Sequence, residues 1–189
     1  MKLGKFEQQK QKQLGMKDNS SIGKWDKKIS KLCSKLNKSS EYYTSSSCSG
    51  RVILIKVQEK KQKGLFLYRN HSKITLASLK NELDKARKME KGLIDFRLEP
   101  CIIHVACNTL TGAQVLLDKA KLVGWKNSGI IASRKRIFLE ARSTEHIEFP
   151  IINHGEILVD DKFLKLIVKE ANRKLERTWG KIDNLERLI

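Results

Sequence analysis

Apolar residues in this chain recur with two different periods, and the order in which the periods alternate constrains the fold more than any other feature. Val52-Ile53-Leu54-Ile55 is dense in β-branched groups, and strand character resumes over Leu65 to Tyr68 after a polar Lys60 to Gly64 turn, so these segments predict a hairpin. Leu93 to Leu98 and Cys101 to Cys107 form a second pair of strands around Glu99-Pro100. Gly129 to Ala132 and Ile137 to Ala141 form a third around a Ser133-Arg134-Lys135 turn, and another extended segment runs through Ile147 to Ile152. Strands outnumber helices and come in pairs, so a strictly alternating doubly wound sheet is not expected. The pattern predicts an α+β class: a mixed, largely antiparallel sheet with helices packed on it.

Helical spacing fills the intervals. From Gly23, residues Trp25, Ile29, Leu32, Cys33 and Leu36 define an amphipathic helix with a lysine-studded outer face, stopped at Asn37. Thr75 is placed to cap a helix whose inner side is Leu76, Leu79, Leu83 and Ala86, and Gly92 follows it. Thr111 and Gln114 stand at capping-box spacing before a helix with Leu110, Ala113, Leu117 and Ala120 inside and Gly124 beyond its last turn. Phe163, Ile167, Ala171, Leu175, Trp179 and Ile182 stripe a long C-terminal helix. Residues 1–20 are polar and form either a surface helix or a basic arm, and residues 21–189 are expected to fold as a single α+β catalytic domain.

Between the first helix and the first apolar strand lies Tyr42-Tyr43-Thr44-Ser45-Ser46-Ser47-Cys48-Ser49-Gly50-Arg51. Small hydroxyls offer donors without bulk, Gly50 admits close backbone approach, and Arg51 supplies a planar fork for a carboxylate or phosphate. This composition suits an anion site, although a short serine linker has a similar one. The formal charge of +18 points to a polyanionic partner held by counterion displacement, with nucleic acid first. The excess is spread along the chain: residues 1–40 carry 11 basic and 3 acidic groups and residues 41–159 carry 20 and 12.

Several chemistries find no support. No GxGxxG follows a strand and no GxxxxGK[ST] occurs, which removes the signatures of Rossmann-type dinucleotide binding and of P-loops; GxSxG and HExxH are absent too. His71, His104, His146 and His154 are dispersed, and Cys33, Cys48, Cys101 and Cys107 lack CxxC spacing, so neither a metal site nor a disulfide framework is expected. Cys101 and Cys107 share a strand face with Ile103 and Val105 and are expected as small buried hydrophobes. No stretch matches a membrane span or a secretory signal, and a cytoplasmic location is expected.

Tyr42 to Arg51 is very similar to the YYTTSSCSGR signature of the tRNA wybutosine-synthesizing methyltransferase family, the third enzyme of that pathway, with Ser45 keeping the hydroxyl of the usual threonine. Asp18, Ser20 or Ser21, Gly23 and Asp26 resemble the family's approach to the first helix. Glu99-Pro100 with His104-Val105, Ser128-Gly129-Ile130, Arg142 with Pro150, and Ala171-Asn172 resemble its successive blocks, together covering roughly residues 18–185. The resemblance implies a fold other than the Rossmann-type methyltransferase. It implies methyl transfer from S-adenosyl-L-methionine to a ring nitrogen of the tricyclic guanosine-derived base beside the anticodon of phenylalanine tRNA, with no obligatory protein partner.

It also implies that Ser46, Ser47, Cys48, Ser49, Gly50, Arg51, Ser128, Gly129, Arg142 and Asn172 line the donor or substrate site. Any ring-nitrogen proton would be taken by His104 or His71. Four of these residues have a plainer alternative: a satisfied core histidine for His104, surface exposure for His71, a simple cross-strand ion pair for Arg142, and a polar spacer for Asn172. Tyr42, Tyr43 and Trp25 are available to stack on a base or to fill the core. The Arg134-Lys135-Arg136 tip is a phosphate clamp or a solvated hairpin end. A noncatalytic RNA-binding protein on the same scaffold is the competing reading.

Overall fold

The computed structural model describes residues 4–16, 26–58, 64–132 and 136–189, so Trp25 and the Ser133-Arg134-Lys135 turn lie outside the described residues. In chain order the elements are α1 (Lys5–Leu14), α2 (Ser30–Lys38), β1 (Tyr42–Cys48), β2 (Arg51–Lys56), β3 (Phe66–Asn70), α3 (Leu76–Met89), β4 (Ile94–Glu99), β5 (Ile102–Cys107), α4 (Leu110–Leu122), β6 (Gly129–Ala132), β7 (Ile137–Arg142), β8 (Ile147–Asn153), β9 (Glu156–Ile157) and α5 (Asp161–Leu188). The class is α+β as expected, with two sheets in which every pairing is antiparallel. Two compact units carry them: residues 1–49, 101–144 and 178–189 form one, and residues 50–100 and 145–177 the other. No helix among the described residues is long and apolar enough to cross a membrane.

The first unit contains the sheet ordered β1-β5-β7-β6. Alternation along the strands turns Ile103, Val105 and Cys107 of β5 and Leu139 and Ala141 of β7 to one face. There they join a buried cluster with Leu32, Cys33 and Leu36 of α2, Ala113, Leu116, Leu117 and Ala120 of α4, and Ile182 and Leu185 of α5. Trp125 is fully buried in the same cluster. The cap of α4 is Thr109, whose hydroxyl accepts from Gly112 N at 3.0 Å, two residues ahead of the expected Thr111. Leu110 therefore becomes the first helical residue and is 58% exposed, and Leu116 joins the inner stripe instead. Gly124 after the helix has φ of +93°, a conformation that a Cβ disfavours.

The second unit contains the sheet ordered β3-β2-β4-β8-β9. The expected hairpin is present as β2 against β3, and β2 also pairs with β4 from Arg51↔Glu99 to Lys56↔Ile94. The second expected strand pair separates at Glu99-Pro100: β4 stays in this sheet and β5 belongs to the other. Thr75 caps α3 with a reciprocal pair, its hydroxyl accepting from Ser78 N at 3.1 Å and Ser78 Oγ accepting from Thr75 N at 3.0 Å. Phe149 bridges Phe96 and Phe163, with ring centroids 5.4 and 5.3 Å away. His154 and Gly155, both at positive φ, close the β8–β9 hairpin in two residues.

Candidate active site

The hydroxyl-rich run is a strand for most of its length, not the turn its composition suggests. Residues 42–48 form β1, paired with β5, and the register slips between Thr44 and Ser46. That β-bulge decides which hydroxyl faces where. Tyr43 pairs with Ala106 and Ser46 with His104, so residues 43, 46 and 48 share a face and Ser47 turns to the α2 side. Without the extra residue, strict alternation would have sent Ser47 to the face of Tyr43.

On the face away from α2 and α4, three neighbouring strands present a hydrogen-bonded chain. Ser46 Oγ on β1 lies 2.7 Å from His104 Nδ1 on β5, and His104 Nε2 lies 2.7 Å from Glu140 Oε2 on β7. Direct cross-strand pairing places the three side chains, Ser46↔His104 and His104↔Glu140. The carboxylate accepts only, so the neutral ring donates from Nε2 and accepts the Ser46 hydroxyl proton at Nδ1. A proton arriving at Nδ1 reverses the Ser46 bond and leaves an imidazolium beside Glu140. The chain is solvated: Ser46 is exposed, and the His104 and Glu140 side chains are 32% and 37% accessible. Arg142 lies on the same face, paired across from Ile102, and its guanidinium makes no ion pair among the described residues. The cross-strand ion pair anticipated for Arg142 is absent among the described residues, because β5 sets Ile102 opposite it.

Other anticipated residues are held by the scaffold. Ser47 Oγ accepts from the Cys33 thiol at 3.5 Å, and burial pushes that thiol up to about 11. Ser49 is fully buried, donating from both N, at 3.2 Å, and Oγ to Asp26 Oδ2. Asp26 thereby ties the end of β1 to the entrance of α2, where Ser30 N donates to Asp26 O at 3.1 Å. Ser128 Oγ donates to Trp125 O at 2.6 Å and accepts from Arg142 N at 3.1 Å, which fixes the approach to β6. Gly129 pairs with Glu140 and has open space where a Cβ would stand. Tyr42 OH donates to Gly112 O at 2.9 Å, and the Tyr43 ring packs 5.2 Å from Phe6 with 3% exposure, so both tyrosines are packing groups. Cys48 is half-buried on the His104 face.

In the second unit, Arg51 Nε donates to Glu99 Oε2 at 2.5 Å and its guanidinium carbon lies 5.1 Å from the Phe66 ring. Its terminal nitrogens make no hydrogen bond among the described residues. Gly50 is buried with φ of +93°, so it is needed for the turn from β1 into β2 before any question of ligand approach. Asn172 brackets the Ile74 backbone, accepting from its N at 2.9 Å and donating to its O at 2.8 Å, which consumes both ends of the amide. His71 is half-buried just past β3. Arg134 and Lys135 lie outside the described residues; Arg136 is exposed at the entrance to β7. Glu140 and Asp26 carry more of the site's hydrogen bonding than their sequence context suggested, because only strand register and chain reversal bring them to His104 and Ser49.

Fold and site together define an α+β protein with a hydroxyl–imidazole–carboxylate chain on an open sheet face and no Rossmann-type nucleotide fold. The family model described as Methyltransferase TYW3 matches residues 4–189, and the chain belongs to that family of enzymes. A relative in Danio rerio, "tRNA wybutosine-synthesizing protein 3 homolog", is 35% identical over 97% of this chain and 74% of its own length. One in Thermococcus sibiricus, "tRNA(Phe) 7-((3-amino-3-carboxypropyl)-4-demethylwyosine(37)-N(4))-methyltransferase", is 34% identical over 96% of this chain and 92% of its own. Among solved structures, the PH1069 protein from Pyrococcus horikoshii superposes with a TM-score of 0.85 at 31% identity, covering 96% of this chain and 92% of that one.

Proposed function

We propose that this enzyme transfers a methyl group from S-adenosyl-L-methionine to a ring nitrogen of the tricyclic wybutosine precursor at position 37 of phenylalanine tRNA; the name of its Thermococcus sibiricus relative gives that acceptor and position. The observation that carries the reading is the Ser46–His104–Glu140 chain on an exposed sheet face of a family member with a net charge of +18.

Two carboxylates must be held, one on the amino-carboxypropyl chain of the base and one on the methionyl end of the donor. Arg142, on the sheet face that carries His104, keeps its guanidinium without an ion pair among the described residues, which fits one such group. Bound, the sulfonium donor supplies an electrophilic methyl carbon. The protein's part is to line the ring nitrogen up behind that carbon and to take the proton the nitrogen gives up. Ser46 Oγ receives that proton as its own passes to His104 Nδ1, and Glu140 stabilises the imidazolium so formed. Cys48 need not act as a nucleophile, since no covalent enzyme intermediate is required.

The test is direct. Purified protein, S-adenosyl-L-methionine and phenylalanine tRNA bearing the demethylated precursor are incubated, and the nucleosides are analysed by mass. Gain of one methyl group on the tricyclic base is expected, and titration calorimetry should register donor binding without RNA. A precursor that remains unmethylated while the protein binds RNA would favour a noncatalytic binder.

A further inference from the structure

The first unit carries a groove of about 550 Å³ between α1 and the end of the sheet, separate from the Ser46–His104–Glu140 chain and unused by the chemistry above. Its apolar wall is Phe6, Tyr43 and Ala106, and its polar rim includes Lys5, Asn108 and Arg136. Tyr43 and Ala106 are each 3% exposed, whereas Phe6 is only half-buried and its ring is tilted 48° to that of Tyr43. An aromatic edge thus remains open beside two cations. Glu7, Gln9 and Ser40 complete the polar lining, with Glu7 the one acidic group. Arg136 also acts on the floor: burial raises the Tyr43 phenol, and the guanidinium charge opposes that rise.

Position within the sheet gives the groove its meaning. Ala106 lies two residues beyond His104 on the same strand and face, a separation of about 7 Å. A polynucleotide whose target base reaches His104 has its next residue at that distance. We propose that this groove holds the nucleotide flanking the target base of an RNA substrate, with its base against Phe6 and its phosphate between Lys5 and Arg136. The volume suits a ligand of that size, aromatic stacking with phosphate contacts is how proteins hold unpaired nucleotides, and Asn108 and Gln9 can reach a base edge. The inference rests on the RNA-substrate reading, and its readout is binding, so the two fail separately.

The experiment measures the Kd of a fluorescent anticodon stem-loop RNA by anisotropy across a salt series. It uses the full chain, Phe6→Leu, and the double variant Lys5→Ala/Arg136→Ala. Phe6→Leu keeps apolar contact with Tyr43 and removes the stacking face, and binding should weaken by about tenfold. The double variant should weaken binding and make the salt slope shallower by about 0.7, the value for one phosphate released on a single strand. With a photoreactive base next to the target position, the crosslink should map to the peptides containing Phe6 or Tyr43. An unchanged Kd and slope in both variants, or a crosslink confined to other peptides, overturns the groove assignment whether or not the wild-type protein methylates tRNA.

Discussion

Changing Glu140 to glutamine tests the proton-handling chain with little disturbance of shape. Glutamine keeps an acceptor for His104 Nε2 and removes the negative charge beside the imidazolium formed during turnover. A hydrogen bond to a charged group contributes about 1.5–3 kcal/mol and a neutral one about 0.5–1.5 kcal/mol, so the charge accounts for about 1–2 kcal/mol. The pair is about one-third exposed, His104 at 32% and Glu140 at 37%, and solvent screening moves the expectation to the lower end, about 1 kcal/mol. That corresponds to about a fivefold fall in the methylation rate constant. Single-turnover methylation at saturating tRNA and donor is the appropriate assay, because substrate affinity should be unchanged. Denaturant unfolding should move by less than about 0.5 kcal/mol, as for a surface substitution. A Glu140→Gln enzyme with the wild-type rate constant across pH would refute the chain's role, and a loss confined to KM would reassign Glu140 to substrate binding.

Asn172→Ala removes two hydrogen bonds to the Ile74 backbone and should cost about 2 kcal/mol in urea unfolding; an unchanged midpoint would show that the bracket contributes nothing. Gly50→Ala forces a side chain onto φ of +93°, so a loss of about 1–2 kcal/mol is expected together with reduced methylation, since Arg51 follows at once; wild-type stability would contradict the strain. Burial raises the Cys33 and Cys107 thiols to about 11, which favours their neutral form in the folded state, so their contribution is complete below pH 9.0 and lost as pH rises through about 11. Up to about 3 kcal/mol per thiol is at stake, and unfolding should become easier over that interval. Both thiols should also resist alkylation at pH 8 until the protein unfolds, and rapid labelling of either would contradict the burial.

Local rules reached some elements and missed others for identifiable reasons. The α3 cap at Thr75, the C-terminal stripe and the β2–β3 and β6–β7 pairs follow from short-range chemistry and are present, whereas β4 and β5 form as strands but enter different sheets. Thr111 lost the α4 cap to Thr109 because both can cap and only the chain's exit from β5 selects between them. Ser47 and Ser49 were chosen for composition, yet Cys33 and Asp26 engage their hydroxyls. Glu140 was visible only as a neighbour of Arg142, since its partnership with His104 depends on how β5 and β7 align. Arg51 has one guanidinium nitrogen taken by Glu99, a partner that only the β2–β4 register sets opposite it.

The sequence by itself determined the α+β class with largely antiparallel pairing, the net positive charge and, through the Tyr42 to Arg51 block, the family. Those properties reside in period, charge and contiguous identity, which need no partner to be read. Tertiary structure alone decided which hydroxyl meets the histidine. A β-strand alternates every residue, so the bulge between Thr44 and Ser46 exchanges the faces of every serine after it, and the histidine's own partner comes from 36 residues further along the chain.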